Sequence, residues 1–168
     1  SRSTTPVSRR KRSLSYEPLE DRTLLSTFTV TKVADTNDGS CDGDCSLREA
    51  VVAANANAGA DTIGFALNGT FDLNITGSSE DAAATGDLDI TGDVTIQGAG
   101  ASETIIGGLG DRLFHVFMGA IVDFSDFTVT NGSAGSSGGG IYNLGALSLT
   151  NSTVSGNTSI FSSSSGGG

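Results

Sequence analysis

Alternation between apolar and polar residues is the dominant pattern of this chain. Phe71, Leu73 and Ile75 alternate with Asp72 and Asn74, so three apolar side chains would share one face of a β-strand. Similar short stretches recur between turns rich in Gly and Asn, and many of them contain β-branched residues. The pattern predicts strands at residues 27–33, 62–67, 71–75, 88–90, 94–96, 104–106 and 113–117.

Two further strand-rich segments are related by a shift of 25 positions, because residues 122–132 align without a gap on residues 147–157. The shift superposes Val122 on Leu147, Phe124 on Leu149, Thr128 on Thr153, Val129 on Val154 and Thr130 on Ser155. A period of about 20–50 residues marks a repeat architecture. Strands inside the repeat predict an all-β solenoid, a coil of stacked turns here called rungs. At about 25 residues for each rung, residues 61–168 would supply about four.

The match between the two segments is weakest at Ser152, which falls where Phe127 lies one rung earlier. A serine in place of a phenylalanine predicts a thinner core at that point. Residues 162–168 resemble the Ser- and Gly-rich approach to the preceding rung at 136–140. We therefore expect further rungs to follow in the natural protein, because an open edge would be prone to aggregation.

One segment, residues 46–58, has helical periodicity instead. Ser46 and Glu49 have the spacing of a capping box, in which each side chain binds the backbone amide of the other residue. The apolar residues that follow fall on one helical face, namely Leu47, Ala50, Val51 and Ala54. Gly59 is expected to end the helix at the C′ position. An amphipathic helix before a series of strands suits a cap over the open end of a solenoid.

Composition supports a single domain with a thin core. The 168 residues include 24 Gly and no Trp, and 36% are hydrophobic, which suits a solenoid better than a compact two-layer fold. Charge divides sharply: residues 1–32 carry a balance of +4 and residues 33–168 a balance of −14. The acidic body would repel nucleic acids and anionic membranes, so neither is expected as a partner. No stretch approaches the roughly 20 apolar residues that span a bilayer.

An acidic loop at residues 34–45 precedes the helix. It ends in a closely spaced cysteine pair, Cys41 and Cys45, which predicts a disulfide closing a turn-rich loop. The alternative is a calcium site formed by Asp35, Asp38, Asp42 and Asp44, since calcium prefers carboxylate oxygens. The EF-hand spacing is absent, which favours the disulfide, and no other cofactor is expected.

Residues 1–26 form a basic segment around the run Arg9–Arg10–Lys11–Arg12. Physical chemistry alone favours a disordered tail, because acidic residues interrupt the apolar stretch that an export signal would need. However, residues 16–26 resemble the LEPLEDR-type segment of large planctomycete extracellular proteins. Their sequence is Tyr-Glu-Pro-Leu-Glu-Asp-Arg-Thr-Leu-Leu-Ser. The resemblance implies export, and hence an extracellular or cell-surface location.

A second resemblance covers residues 27–65. Positions 45–50 have the sequence Cys-Ser-Leu-Arg-Glu-Ala. Together with the strand and the Cys loop before them, these six residues resemble the CSLREA domain. That domain begins bacterial surface proteins with right-handed parallel β-helix repeats. The resemblance implies three parts: a targeting or disordered segment (1–26), an N-terminal cap (27–60) and β-helix rungs (61–168). It implies no specific reaction.

Candidate catalytic residues are few. Two carboxylate pairs, Asp87 with Asp89 and Asp123 with Asp126, have spacings that a glycosidase could use, and the alternation places the first pair outward. Arg112 and His115 are a possible general-base pair, although a lone histidine is more often structural.

The sequence favours a noncatalytic surface scaffold that is adhesive, glycan-binding or structural, with surface glycans or other extracellular proteins as partners. The alternative is the N-terminal part of a carbohydrate-active β-helix enzyme, a polysaccharide lyase or hydrolase whose active site lies in rungs further along. Fold alone does not decide between them.

Overall fold

A computed structural model describes residues 25–78, 80–108 and 110–160. The basic segment 1–26 lies almost entirely outside the described residues, as do residues 162–168. The described part contains one helix, α1 (Leu47–Ala56), which follows the first strand. The strands are β1 (Thr27–Val30), β2 (Asp61–Phe65), β3 (Gly69–Leu73), β4 (Leu88–Ile90), β5 (Val94–Gln97), β6 (Thr104–Gly108), β7 (Phe114–Val116), β8 (Ile121–Ser125), β9 (Thr128–Thr130), β10 (Ser133–Ala134), β11 (Ile141–Asn143), β12 (Ala146–Thr150), β13 (Thr153–Ser155) and β14 (Thr158–Ser159).

All strand pairs among these residues are parallel. The first sheet has the order β1-β2-β5-β8-β12, the second β3-β6-β9-β13 and the third β4-β7-β11, while β10 pairs with β14. From β2 onward the chain visits the first, second and third sheets in turn and then returns to the first, and the short β10 is inserted between β9 of the second sheet and β11 of the third. The predicted all-β class, with parallel strands and one short helix, is confirmed.

The 25-position shift found in the sequence is the register of the last strand pairs. In the first sheet Val122 pairs with Leu147 and Phe124 with Leu149, and in the second sheet Val129 pairs with Val154. Earlier pairs in the first sheet are further apart in sequence: 35 positions for Thr27 and Thr62, 33 for Asp61 and Val94, and 28 for Val94 and Val122. The repeat of 25 positions is therefore detectable in the sequence only among the last strands, where the connections between paired strands are short.

The core is formed by alternate side chains of these strands. Three aromatic rings lie at its centre and are almost fully buried: Phe114 and Phe124, with ring centroids 4.8 Å apart, and Phe127, which is 5.2 Å from Phe124. On the last strands Leu149 and Val154 are each 47% exposed, whereas their partners one strand earlier are buried. Ser152, which falls where Phe127 lies one strand earlier, donates its hydroxyl to the Thr150 carbonyl, and the expected thinning of the core at this point stays a prediction.

Helix α1 begins one residue after its N-cap, Ser46, and packs against β1, β2 and β4. The four apolar residues predicted on one face are all buried. The expected end is corrected: Asn57 is the C-cap, and its amide donates to the carbonyls of Ala53 and Ala54. Gly59 lies two residues further on with a φ of 116°, so it serves the turn into β2. Where the structure describes the chain, no helix is long and apolar enough to cross a membrane.

Close approach of the backbone at Gly98 gives a test of the stacking. A Cβ at this position would overlap the Asp126 carbonyl oxygen and lie 2.9 Å from Phe127 Cβ. We expect Gly98→Ala to lower the free energy of unfolding by about 2 kcal/mol, because neighbouring backbone must move to admit the methyl group. Gly92→Ala is the matched control, since a Cβ there meets nothing within 4 Å, and it should change stability by less than about 0.5 kcal/mol. Equal urea midpoints for the two variants would contradict the observed packing.

Candidate functional site

The predicted disulfide and helix cap lie side by side at the start of α1. Cys41 and Cys45 form a disulfide that closes the acidic loop. The Ser46 side-chain oxygen accepts a hydrogen bond from the Glu49 amide, and the Glu49 carboxylate accepts one from the Ser46 amide at 2.7 Å. The acidic loop is therefore attached to a well-capped first turn.

Glu49 also binds the acidic loop. Its carboxylate accepts hydrogen bonds from Thr36 Oγ1 at 2.9 Å and the Asp38 amide at 3.1 Å, and it lies 3.5 Å from Lys32 Nζ. Burial would raise the pKa of Glu49, but the hydrogen bonds from Ser46, Thr36 and Asp38 and the charge of Lys32 outweigh it and lower the pKa. Glu49 thus acts as an ionised bridge between helix and loop.

The four aspartates considered for calcium are not brought to one point. Each carboxylate has its own partner: Arg48 for Asp35, the Ser40 amide for Asp38, the Asp44 amide for Asp42 and Lys32 for Asp44. The side chains that do converge closely enough to share an ion, among the residues described, are Asp81, Asp89 and His115. Calcium binding by the acidic loop stays a prediction.

Arg48 has a role that the sequence reasoning missed. Its side chain is fully buried and makes a bidentate ion pair with Asp35, with Nε–Oδ1 at 2.8 Å and Nη2–Oδ2 at 3.1 Å. Its remaining donors reach the carbonyl oxygens of Ala83 and Gly86, at 2.9 and 2.8 Å, in the loop between β3 and β4. The guanidinium therefore joins the helix, the acidic loop and this second loop.

The second loop, residues 74–87, covers the outer face of β4. It is fixed at its start by Asp35 Oδ2, which accepts hydrogen bonds from the amides of Asn74 and Ile75, and at its end by Arg48. The Ala83 amide donates to Asp89 Oδ2 at 3.0 Å. Covered in this way, Asp89 is fully buried.

The outward face that carries Asp87 and Asp89 is covered and not open to solvent. The alternation predicted that both residues point outward because their apolar neighbours Leu88 and Ile90 face the core, but it gave no sign of the covering loop. Leu88 and Ile90 are indeed buried, but Asp87 is only 8% exposed and Asp89 is not exposed at all. The cause is the covering loop, whose position depends on contacts distant in sequence.

A row of polar side chains crosses the third sheet beneath that loop. Asp89 of β4 pairs in register with His115 of β7, and His115 pairs with Tyr142 of β11. His115 Nδ1 lies 3.2 Å from Asp89 Oδ1 without the angle of a hydrogen bond, and the imidazole ring lies 5.1 Å from the Tyr142 ring. The parallel register thus brings together three residues from three strands.

Arg112 lies beside this row. Its Nε is 3.2 Å from Asp87 Oδ2, again without hydrogen-bond geometry, and its guanidinium is centred 5.1 Å from the Tyr142 ring. Arg112 and His115 were considered together as a general-base pair, and each lies 3.2 Å from a carboxylate oxygen, of Asp87 and Asp89 respectively. The other carboxylate pair lies outside this cluster: Asp123 is on β8, and Asp126 directly follows that strand.

Burial shifts the pKa values of this cluster. Desolvation, and then the negative charge of Asp111, raise the pKa of Asp87 to about 6 despite the opposing charge of Arg112. Desolvation likewise raises the pKa of Asp89 to about 7, against the Ala83 hydrogen bond. Burial, followed by the positive charge of Arg112, lowers the pKa of His115. The cluster contains groups that can exchange protons near neutral pH.

The cluster borders an open cleft of about 620 Å³ between the covering loop and the segment before β11. Its walls carry carboxylates at Glu80, Asp81 and Asp87, together with Arg112 and Tyr142. Ser137 also lines it, so the Gly-rich segment that looked purely structural in the sequence contributes to the site. The combination of charged and aromatic groups in a concave surface could bind a polar ligand.

The contribution of the Arg48 pair can be measured with a double-mutant cycle. We expect Arg48→Ala to lower the free energy of unfolding by about 3–5 kcal/mol, because it leaves Asp35 buried without its counter-charge. The double variant Arg48→Ala/Asp35→Ala should be less destabilised than the sum of the single variants by about 2 kcal/mol. Strict additivity would contradict the ion pair.

Asp44→Ala is the matched control for that cycle. Asp44 is another carboxylate of the same loop, and it pairs with Lys32 at 3.2 Å, but its side chain is 76% exposed. Exposed pairs contribute little, so this variant should lose no more than about 1 kcal/mol in the same urea measurement.

Comparison with known proteins returns no matching family model, no matching curated protein and no matching solved structure.

Proposed function

We propose that this chain is the capped end of a right-handed parallel β-helix that serves as a noncatalytic extracellular or cell-surface scaffold. The observation that carries the proposal is the order of the strands, which pass through three parallel sheets in rotation. A coil is the simplest path for such an order, and parallel crossovers are right-handed in about 98% of proteins. Each revolution of this coil is one rung.

The position of α1 supports the role of a cap. The helix contacts β1 and β4, which are the first strands of their sheets, and it also contacts β2. The first edge of a stacked sheet exposes both apolar side chains and unpaired backbone groups, and α1 covers such an edge with its apolar face. The residues that carry the CSLREA resemblance lie in this cap, with Cys45 in the disulfide and Arg48 in the buried ion pair.

Surface chemistry supports a scaffold outside the cell. The outward positions of the last strands are mostly Ser and Thr, which present hydrogen-bonding groups suited to glycans or to other extracellular proteins. A disulfide persists in oxidising compartments, and the LEPLEDR-type resemblance of the N-terminal segment agrees with export. An adhesive, glycan-binding or structural role follows from these features.

The coil can be tested with three cysteine pairs, each of which joins the same two successive rungs at a different sheet. Asp123→Cys/Ser148→Cys bridges the first sheet, Thr130→Cys/Ser155→Cys the second, and Ser133→Cys/Thr158→Cys the sheet of β10 and β14. Paired Cα atoms on adjacent strands are close enough for a disulfide, so all three should form, singly and together in one molecule.

The control for the cross-links is Asp123→Cys/Thr150→Cys, which is displaced by two residues from the paired register. It should oxidise far more slowly, as judged by mass spectrometry of thiol-labelled protein. Cross-links that form singly but never together would overturn the coil.

The cleft favours a second candidate, a carbohydrate-active function. Asp87 lies there beside Arg112 and His115, an acid and base set of the kind that acts on polysaccharides. For the scaffold we expect no new reducing or unsaturated sugar ends when the full chain is incubated with polygalacturonate or alginate. Activity that Asp87→Asn reduces at least 100-fold, and that the exposed control Asp123→Asn retains, would replace the scaffold with this candidate.

A further inference from the structure

Three side chains at the cleft bring metal-binding atoms close together. Asp89 projects from β4, His115 from the paired position on β7, and Asp81 from the covering loop. One oxygen or nitrogen from each lies within 4.8 Å of the other two. The set combines two carboxylates with an imidazole, contributed by the only histidine of the chain.

The spacing of the two strand residues fits ligands of one ion. Asp89 Oδ1 and His115 Nδ1 are 3.2 Å apart, yet they make no hydrogen bond with acceptable geometry. Ligands bound tetrahedrally to zinc at about 2.0–2.1 Å lie about 3.3 Å apart. The two atoms are thus separated by the distance that a shared ion would require.

The buried oxygen of Asp89 is an independent indication. The Asp89 side chain is fully buried, and Oδ1 has no hydrogen-bond partner among the residues that the structure describes, although Oδ2 is held by the Ala83 amide. Buried polar atoms without partners are uncommon in folded proteins and call for an explanation. Oδ1 lies 3.2 Å from His115 Nδ1, and an ion shared by the two atoms would provide the missing partner.

The surroundings hold these ligands in position. The His115 ring packs against Phe117 at 4.0 Å and Tyr142 at 5.1 Å, and the register of β4 and β7 sets its distance from Asp89. Ligands that are fixed by packing and by hydrogen bonds bind metals more tightly than mobile ones. Asp81 is exposed on its loop and could close onto an ion from the cleft side.

We propose that Asp81, Asp89 and His115 bind a divalent transition-metal ion of the zinc class. Imidazole together with carboxylate suits zinc and its neighbours, whereas calcium and magnesium prefer oxygen ligands alone. Three protein ligands leave a position for water on the cleft side. The proposal is separate from the scaffold function, which would stand if no metal bound.

The test uses the tag-free full chain with its disulfide intact, treated with a chelator and dialysed. Titration with ZnCl2 by isothermal calorimetry should give one ion for each chain. Asp81→Asn and His115→Gln should each weaken the affinity at least tenfold, and the visible absorption of bound Co²⁺ should be lost in His115→Gln. Asp81 is exposed, so its variant should fold like the parent chain, as circular dichroism will verify.

Asp111→Asn is the matched control. Asp111 lines the same cleft and its substitution removes the same charge, but it is outside the cluster, so the zinc affinity should change less than threefold. The proposal is overturned if zinc does not bind, if the affinity falls equally in the control, or if CaCl2 binds more tightly than ZnCl2.

Discussion

The buried guanidinium of Arg48 is the constraint on which the N-terminal half of this structure depends. A fully buried charge is costly unless an opposite charge and hydrogen bonds replace its hydration. Asp35 supplies the charge, and carbonyl groups of the loop before β4 accept the remaining donors. The acidic loop, the helix and the covering loop must therefore adopt their positions together, since a shift of any one leaves a buried charge without a partner.

The cleft follows from the same constraint. Because Arg48 holds the end of the covering loop against the helix, the loop lies over β4 and not in solvent. The loop then buries Asp89, and this burial, together with the neighbouring charges of Asp87 and others, raises the pKa of Asp89 to about 7. On the other side of the cleft, the Gly-rich segment before β11 supplies Ser137, and β11 supplies Tyr142. A structural arginine some distance away thus determines the chemical character of the site.

Sequence reasoning predicted the strands well, because their information is local. Alternation decided which residues of β3 and β8 face inward, and the 25-position shift gave the register of β8 with β12 and of β9 with β13. The capping box at Ser46 is equally local. Arg48 was missed because its partners lie 13 to 39 residues away, although its position three residues before Val51 placed it on the buried helical face. The loop that covers Asp89 was missed for the same reason.

The row of Asp89, His115 and Tyr142 could have been found by extending the repeat argument. Laying Leu88–Ile90 on Phe114–Val116 and then on Ile141–Asn143, at shifts of 26 and 27 positions, superposes these three polar residues. The position before them is apolar in all three strands, whereas the position after them changes from Ile90 and Val116 to Asn143. The shifts differ from 25, so a search for one fixed period overlooks them. In these parallel sheets the length of each connection sets the sequence distance between paired strands, whereas the register within each sheet is set by which side chains must face the core. Residues that share an outward position on successive strands are therefore neighbours, and a polar set at such a position deserves the same scrutiny as a conventional sequence motif.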